Sequence, residues 1–313
     1  MAEMEVIMRK ISKGFALFYA VVIIIISAVP AKAESYYTNS QGVELSQAEY
    51  DKLTSAFDAE IVGLMKEETI KQALEDDLEP KIAVSVYQIV FEKIDADGNV
   101  DTVTNTISKK MADKMLASSG DEAMPHVSTP SAEYNTAMKK ITMYYTNAGY
   151  NTTWFTIKNE WKKLPTIRSY DVIAVRPSRD CIIANEDIGK AAFEAHQVHD
   201  GTDISYSWNG EHVNYRSGLG NGQGGVGVSM NLSNTAQSSL SNLLTVRFTN
   251  YNSDILSVFG TYQHAVENVT LKQSTDYVFH GRGLGAVVKY NSDSIANKYD
   301  NTEGLHVTWD AAY

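Results

Sequence analysis

Chemistry in a chain begins with groups that can cradle, coordinate, attack or pass a proton, and a few stretches of this sequence contain them. The most conspicuous is "NYRSGLGNGQGGVGVSMNLSN", 214–234, with glycines at 218, 220, 222, 224, 225 and 227. Gly220, Gly222 and Gly225 meet the spacing of a dinucleotide fingerprint. That motif works only when a helix starts directly behind the glycines and offers its free N–H groups to a pyrophosphate. Here "VGVSMNLS" follows and alternates with strand period. A kinase-type glycine loop would need a "VAIK" lysine and an "HRD" loop, and neither is present. The glycines therefore read as a strand connection, as do those of "HGRGLGAV", 280–287.

Other reactive types lack the company their chemistry needs. "DADGNVD", 95–101, suggests a calcium loop, but Gly98 comes fourth from Asp95 instead of sixth. His196 and His199 are the closest histidine pair, and no HExxH accompanies them. A zinc site would need the fold to bring in His212, His264 or Asp200. There is no GxSxG elbow. Cys181, the sole cysteine, sits in apolar "CIIA" without a cationic neighbour, which marks a small buried residue instead of a nucleophile. No catalytic residue, cofactor or metal site is expected.

The aromatics remain. Eighteen tyrosines and four tryptophans suit the stacking of a ring on a pyranose face, although packing of the core accounts for most of them. Trp208 beside Asn209-Gly210 is the best placed to be exposed, with Tyr206 and Tyr215 near it. Trp154 and Trp161 fall on opposite faces of one strand, so at least one belongs to the core. In "WKKLPTIRSYD" Pro165 ends a strand, and an Arg168–Asp171 bridge is expected at the corner. The candidate ligand-binding residues are thus Trp208, Tyr206, Tyr215, Arg168 and Asp171.

The elements that must position these residues follow from periodicity. Arg9, Lys10 and Lys13, an apolar run from Phe15 to Ser27, and Ala31-Lys32-Ala33 form an export leader, 1–33, cut after Ala33. An uncleaved membrane anchor is the alternative. The full chain carries a net charge of −11, and loss of the leader makes it more acidic. Such a chain repels nucleic acid and anionic surfaces, and one cysteine permits no internal disulfide.

Ser46 and Glu49 form a capping box at the head of a helical segment, 34–80, which Gly63 weakens in the middle, so that two helices at about 47–62 and 66–76 are expected as readily as one continuous helix. Region 81–135 holds strands "VSVYQIVFEKI" and "VDTVTNTI" joined through Asp97-Gly98, a short helix at 109–117 and a linker rich in Ser, Pro and acid. Strand-like runs then recur to the C-terminus, which predicts an antiparallel β-sandwich over 136–313, a barrel being the alternative. Its strands should sort side chains into an inward apolar set and an outward polar set. The Asn209-Gly210 turn predicts a hairpin pairing Trp208 with Glu211, Tyr206 with Val213 and Ile204 with Tyr215. Val226–Leu232 and Leu244–Phe248 alternate like the strands of a pore-forming hairpin, but each is short for a span, and a half-buried hairpin of the sandwich is the simpler account.

Segments 36–53 ("YYTNSQGVELSQAEYDKL"), 161–176 ("WKKLPTIRSYDVIAVR"), 225–233 and 257–266 resemble exported, uncharacterised proteins of Gram-positive bacteria. That resemblance implies a signal peptide, a short helical unit and a β-rich body, and carries no site residues. The expectation is a mainly β, secreted, non-enzymatic protein that binds a glycan or cell-envelope component. The alternatives are a membrane-active protein oligomerising through 225–250 and, less favoured, a hydrolase built from scattered Asp, Glu and His.

Overall fold

A computed structural model describes residues 36–94, 100–117, 135–149, 152–177, 193–216, 224–249, 257–280, 287–300 and 304–308. The leader, Asp97-Gly98, the linker, Cys181, the glycines at 218, 220 and 222, and most of "HGRGLGAV" lie outside the described residues.

The chain is dominated by antiparallel sheet. Strands β1 (Tyr37–Thr38) and β2 (Glu44–Leu45) pair beside three short helices, α1 (Gln47–Ala56), α2 (Ala59–Leu64) and α3 (Glu67–Glu75). The Ser46–Glu49 capping box starts α1 as expected. The breaks, however, fall at Phe57–Asp58 and Met65–Lys66, and Gly63 lies inside α2. Asp58 causes the first: its carboxylate accepts from Glu60 N, which begins a new helix where Phe57 is extended.

A seven-stranded sheet runs in the order β4-β3-β5-β6-β12-β8-β9 and a five-stranded sheet in the order β10-β11-β7-β13-β16. The first contains β3 (Ile82–Ile94), β4 (Val100–Ile107), β5 (Asn135–Asn147), β6 (Thr152–Lys163), β8 (Phe193–His199), β9 (Thr202–Ser205) and β12 (Leu240–Thr249). The second contains β7 (Tyr170–Pro177), β10 (Val213–Arg216), β11 (Gly225–Asn231), β13 (Ser257–Gln263) and β16 (Leu305–Thr308). A small pair, β14 (Tyr277–Phe279) with β15 (Val288–Tyr290), follows. Neither large sheet closes into a barrel. Helices are not confined to the N-terminus either: α4 (Lys109–Ala117), α5 (Leu271–Ser274) and α6 (Asp293–Ala296) lie further along.

One apolar cluster joins the two sheets. Ile141, Phe155, Ile157 and Leu244 from the larger sheet meet Ile173, Val226, Val228 and Tyr262 from the smaller. The expected polar outer faces are corrected by what covers them. Trp154, on the opposite face of β6 from Phe155, packs with Leu53, Phe57, Ile61 and Ile70 of the helices. Its indole donates to Asp76, which Arg247 of β12 grips through two nitrogens at 2.9 and 2.8 Å. Trp161 faces the other way into the inter-sheet cluster, so both tryptophans are core. The outer face of the five-stranded sheet is covered by Tyr277, Phe279, Tyr290 and Tyr299. Strands buried on both sides need apolar residues in both parities, which blurs a strict two-residue rhythm.

The β3–β4 antiparallel pair holds, with Tyr87 opposite Ile107. Two other expected pairings do not. β9 pairs with β8, and β10 pairs with β11 in the other sheet, so the Asn209-Gly210 segment crosses between sheets. Tyr206 N–H donates to Ala195 O at 2.9 Å instead of facing Val213. The crossing still lets Tyr206 and Val213 reach the shared cluster, which is what the apolar alternation requires. β11 and β12 likewise lie in different sheets and face each other across the core instead of forming a hairpin.

The glycines that begin β11 have a packing role. A Cβ on Gly227 would come within 2.0 Å of the Tyr277 hydroxyl, and one on Gly225 within 2.3 Å of the Phe279 ring. Their lack of side chains lets β14 lie against the sheet. Replacing Gly227 by Ala should therefore cost about 1–3 kcal/mol through overpacking. Urea unfolding should show a lowered midpoint, relieved in part by Tyr277→Phe, which removes the colliding oxygen.

Candidate functional site

Two groups of residues carry chemistry, and access to water separates them. The first lies between the sheets. Asp171, at the start of β7, is 1 % exposed and has its carboxylate surrounded by donors. Oδ2 accepts from Tyr262 Oη at 2.5 Å and from His264 Nδ1 at 3.0 Å, and Oδ1 accepts from Ala265 N at 2.8 Å. Trp161 Nε1 donates to the same tyrosine oxygen at 3.2 Å. The His264 ring stands edge-on to Trp161, and its Nε2 lies 3.7 Å from Glu92 Oε1, an ion-pair distance. Glu92 accepts from the backbone of Thr166 at 2.9 Å and Ile167 at 3.5 Å. Lys139 of β5 meets Asp300 at 2.5 Å, with neither side chain more than 1 % exposed, and Asp300 also accepts from His264 N at 2.7 Å.

Burial pushes the His264 imidazole toward its neutral form. Asp171, Glu92 and Asp300 outweigh that and raise its pKa from 6.5 to about 9. Glu92 is pushed upward by burial, yet ends below its ordinary value because His264 and the Thr166 N–H stabilise the anion. Tyr262 rises well above its ordinary value through burial and the adjacent Asp171 charge. An Asp–His–Glu row has the composition of acid–base machinery, but its atoms are closed off from solvent.

A second histidine lies on the outer face of β8. His196 Nδ1 is 2.9 Å from Asp203 and Nε2 is 3.1 Å from Glu194, whose other oxygen accepts from Thr69 Oγ1 at 2.5 Å and Lys66 N at 2.9 Å. This row joins α3 to the sheet. His196 and His199 point to opposite sides of the strand, and among the described residues no group of three or more His, Cys, Asp or Glu could hold a metal.

The expected Arg168–Asp171 bridge is replaced. Arg168 donates instead to Ser233 O at 2.9 Å and Ala236 O at 2.7 Å, fastening the β6–β7 corner to the β11–β12 connection. The corner carbonyls face Arg168, while Asp171 points inward with the apolar parity of β7. Of the candidate ligand residues, these two are engaged in contacts within the fold.

Two of the aromatic three, Trp208 and Tyr215, come together. Trp208 sits partly buried in the β9–β10 crossing, 5.1 Å from the Phe193 ring and 4.9 Å from Tyr215. Tyr206 is buried beside His212, whose Nδ1 lies 2.8 Å from Ser229 O. Tyr215 is 39 % exposed and Ile204 40 %. Ser205, Ser207, Asn209, Glu211 and Arg216, close to them in sequence, are all exposed. β9 and β10 are the edge strands of their sheets, so the patch forms where two edges meet.

No protein-family model matches the chain, and comparison with curated proteins finds no similar sequence. The buried network is what sequence reasoning missed. Lys139 shares the parity of Ile141 and Met143, and Glu92 that of Val90, so a charge on the apolar parity was the available signal.

The network imposes a pH profile. Protonated His264 has a folded value near 9 against an ordinary 6.5, so its contribution is complete below pH 6.5 and is lost as pH rises to about 9. Glu92, shifted below 4.5, acts oppositely, and its contribution is lost as pH falls beneath that value. The urea midpoint should fall between pH 6.5 and 9. In His264→Gln that alkaline limb should flatten relative to wild type.

Proposed function

We propose that this chain is an exported β-sandwich protein, of the kind resembled by secreted proteins of Gram-positive bacteria, that binds a glycan or cell-envelope ligand without transforming it. The observation that carries the reading is the Trp208–Tyr215 pair, two rings 4.9 Å apart with one accessible, at the meeting of two sheet edges. A sugar offers a flat C–H face to such rings and hydroxyls to the exposed serines, asparagine, glutamate and arginine close to them in sequence. The strong net negative charge argues against a nucleic-acid or anionic-lipid partner. Seclusion of Asp171, His264 and Glu92 from water favours binding over hydrolysis, since a substrate cannot reach them. The apolar parities of β11 and β12 are spent on the inter-sheet core, which weighs against membrane insertion through that segment.

The test is titration calorimetry after a glycan array and peptidoglycan pull-down. Wild type should be retained, and Trp208→Ala and Tyr215→Ala should each weaken binding roughly tenfold or more, about 1.4 kcal/mol. Their folds should persist, because neither ring is fully buried. No retention on any glycan or envelope fraction, or binding by both variants as tight as that of wild type, overturns the reading.

A further inference from the structure

Lys139 and Asp300 form an ion pair closed off from solvent. Both side chains are at most 1 % exposed, the residues are 161 positions apart, and Nζ lies 2.5 Å from Oδ2. That separation places the amine within about 3–3.5 Å of the carboxyl carbon, the near-attack range for addition to a carbonyl. Nζ also lies over the Tyr262 and Trp161 rings, 5.2 and 5.8 Å from their centroids, so aromatic surface shields it from water. The carboxyl is held by two further donors: His264 N–H on Oδ1 at 2.7 Å and Thr104 Oγ1 on Oδ2 at 3.3 Å.

We propose that Lys139 and Asp300 condense spontaneously to an intramolecular amide, covalently tying β5 of the larger sheet to the segment that leads into β16 of the smaller. A proton first passes from Nζ to Oδ2 across their contact, converting two desolvated charges into a neutral amine and a neutral acid. The nitrogen lone pair then adds to Cγ. The charge that develops on Oδ1 is met by the His264 N–H, a preorganised backbone donor. The Cγ–Oδ2 bond breaks with Thr104 donating to the departing oxygen. Oδ2 leaves as water with the proton already transferred and a second from Nζ. An ammonium and a carboxylate thus become a secondary amide and one water, and no oxidant or other reactant is consumed. The product replaces a buried ion pair with one neutral group in a site with little water to reverse the reaction. A chain with one cysteine cannot form an internal disulfide, and this cross-link would restrict the unfolded state in the same way.

The experiment is intact mass spectrometry of the full chain, purified, incubated at neutral pH and denatured before measurement. The expected mass is one water below that of the polypeptide. Proteolysis should then give a branched peptide joining the fragments that contain Lys139 and Asp300. Lys139→Arg and Asp300→Ala should each restore the full mass and lower the thermal midpoint. Because either variant could misfold, wild type itself decides: full mass after prolonged incubation, or a water loss mapped to other residues, overturns the proposal. Thr104→Val, which removes one donor and no reacting atom, should slow the loss of water without abolishing it. The mass readout does not depend on any ligand, so it stands or falls separately from glycan binding.

Discussion

Where a strand leaves its ladder inside a protein, its backbone N–H groups still require acceptors, and in this chain carboxylates supply them. Glu92 takes the N–H groups of Thr166 and Ile167 as the chain turns from β6 toward β7. Asp171 takes that of Ala265, and Asp300 that of His264, as β13 ends. Each such carboxylate lies between the sheets, buried from solvent, and is tolerable only if further donors compensate its charge. Lys139, His264 and Tyr262 are those donors. The crossings that stack the sheets and the charges that occupy the core therefore require one another. Remove Asp171, and an imidazolium, a phenol and a backbone amide lose their acceptor together.

The same device recurs outside the inter-sheet core, both buried and exposed. Glu194 receives Lys66 N where α3 begins, fixing the helical unit to β8. Asp200, at a positive φ of 46°, accepts from the Ser238 hydroxyl and gathers the N–H groups of Gln237, Ser239 and Ser238, which together hold its carboxyl well below the usual carboxylate range. Exposure makes that clamp a matter of loop geometry, since water competes for every bond. Depth decides how much the fold depends on each carboxylate.

Much of the architecture is legible in the residues because local rules act locally. The Ser46–Glu49 box, the 109–117 helix and the β3–β4 pair depend on neighbours a few positions away. The crossing at Asn209-Gly210 was not legible: a turn signal specifies a change of direction, whereas the choice of partner strand depends on which edges β8 and β11 offer. Trp208 and Tyr215 still come together, because the apolar alternation that suggested pairing also directs both toward the core margin. Arg168 and Asp171 show the reverse case. Three residues apart and of opposite charge, they invite a bridge, but Asp171 has the inward parity of Ile173 and Val175 while Arg168 lies in the corner before the strand. Parity along the strand outranks proximity in sequence. The same rule applied to Lys139 and Glu92 exposes them as interior charges, a signal that is present but easily discounted because such residues usually face water.

Identical side-chain types thus acquire different capacities from their access to solvent. Tyr262 and Tyr215 are both strand tyrosines beside a tryptophan. Tyr262, fully enclosed, has its hydroxyl committed to Asp171 and can recognise nothing from outside. Tyr215 lies on an edge strand of four residues, where the ladder ends, and is 39 % exposed. An edge strand is exposed to unwanted pairing, and shortness together with polar neighbours limits that risk. The closed interior suits reactions between groups of the chain itself, because water is excluded and geometry is held by packing on every side. The edge differs, because Phe193 backs the Trp208 ring there while Tyr215 beside it is 39 % exposed. A ligand that stacks there need not disturb the charges in the core, since the crossing that carries Trp208 draws its support from the apolar cluster and not from Asp171.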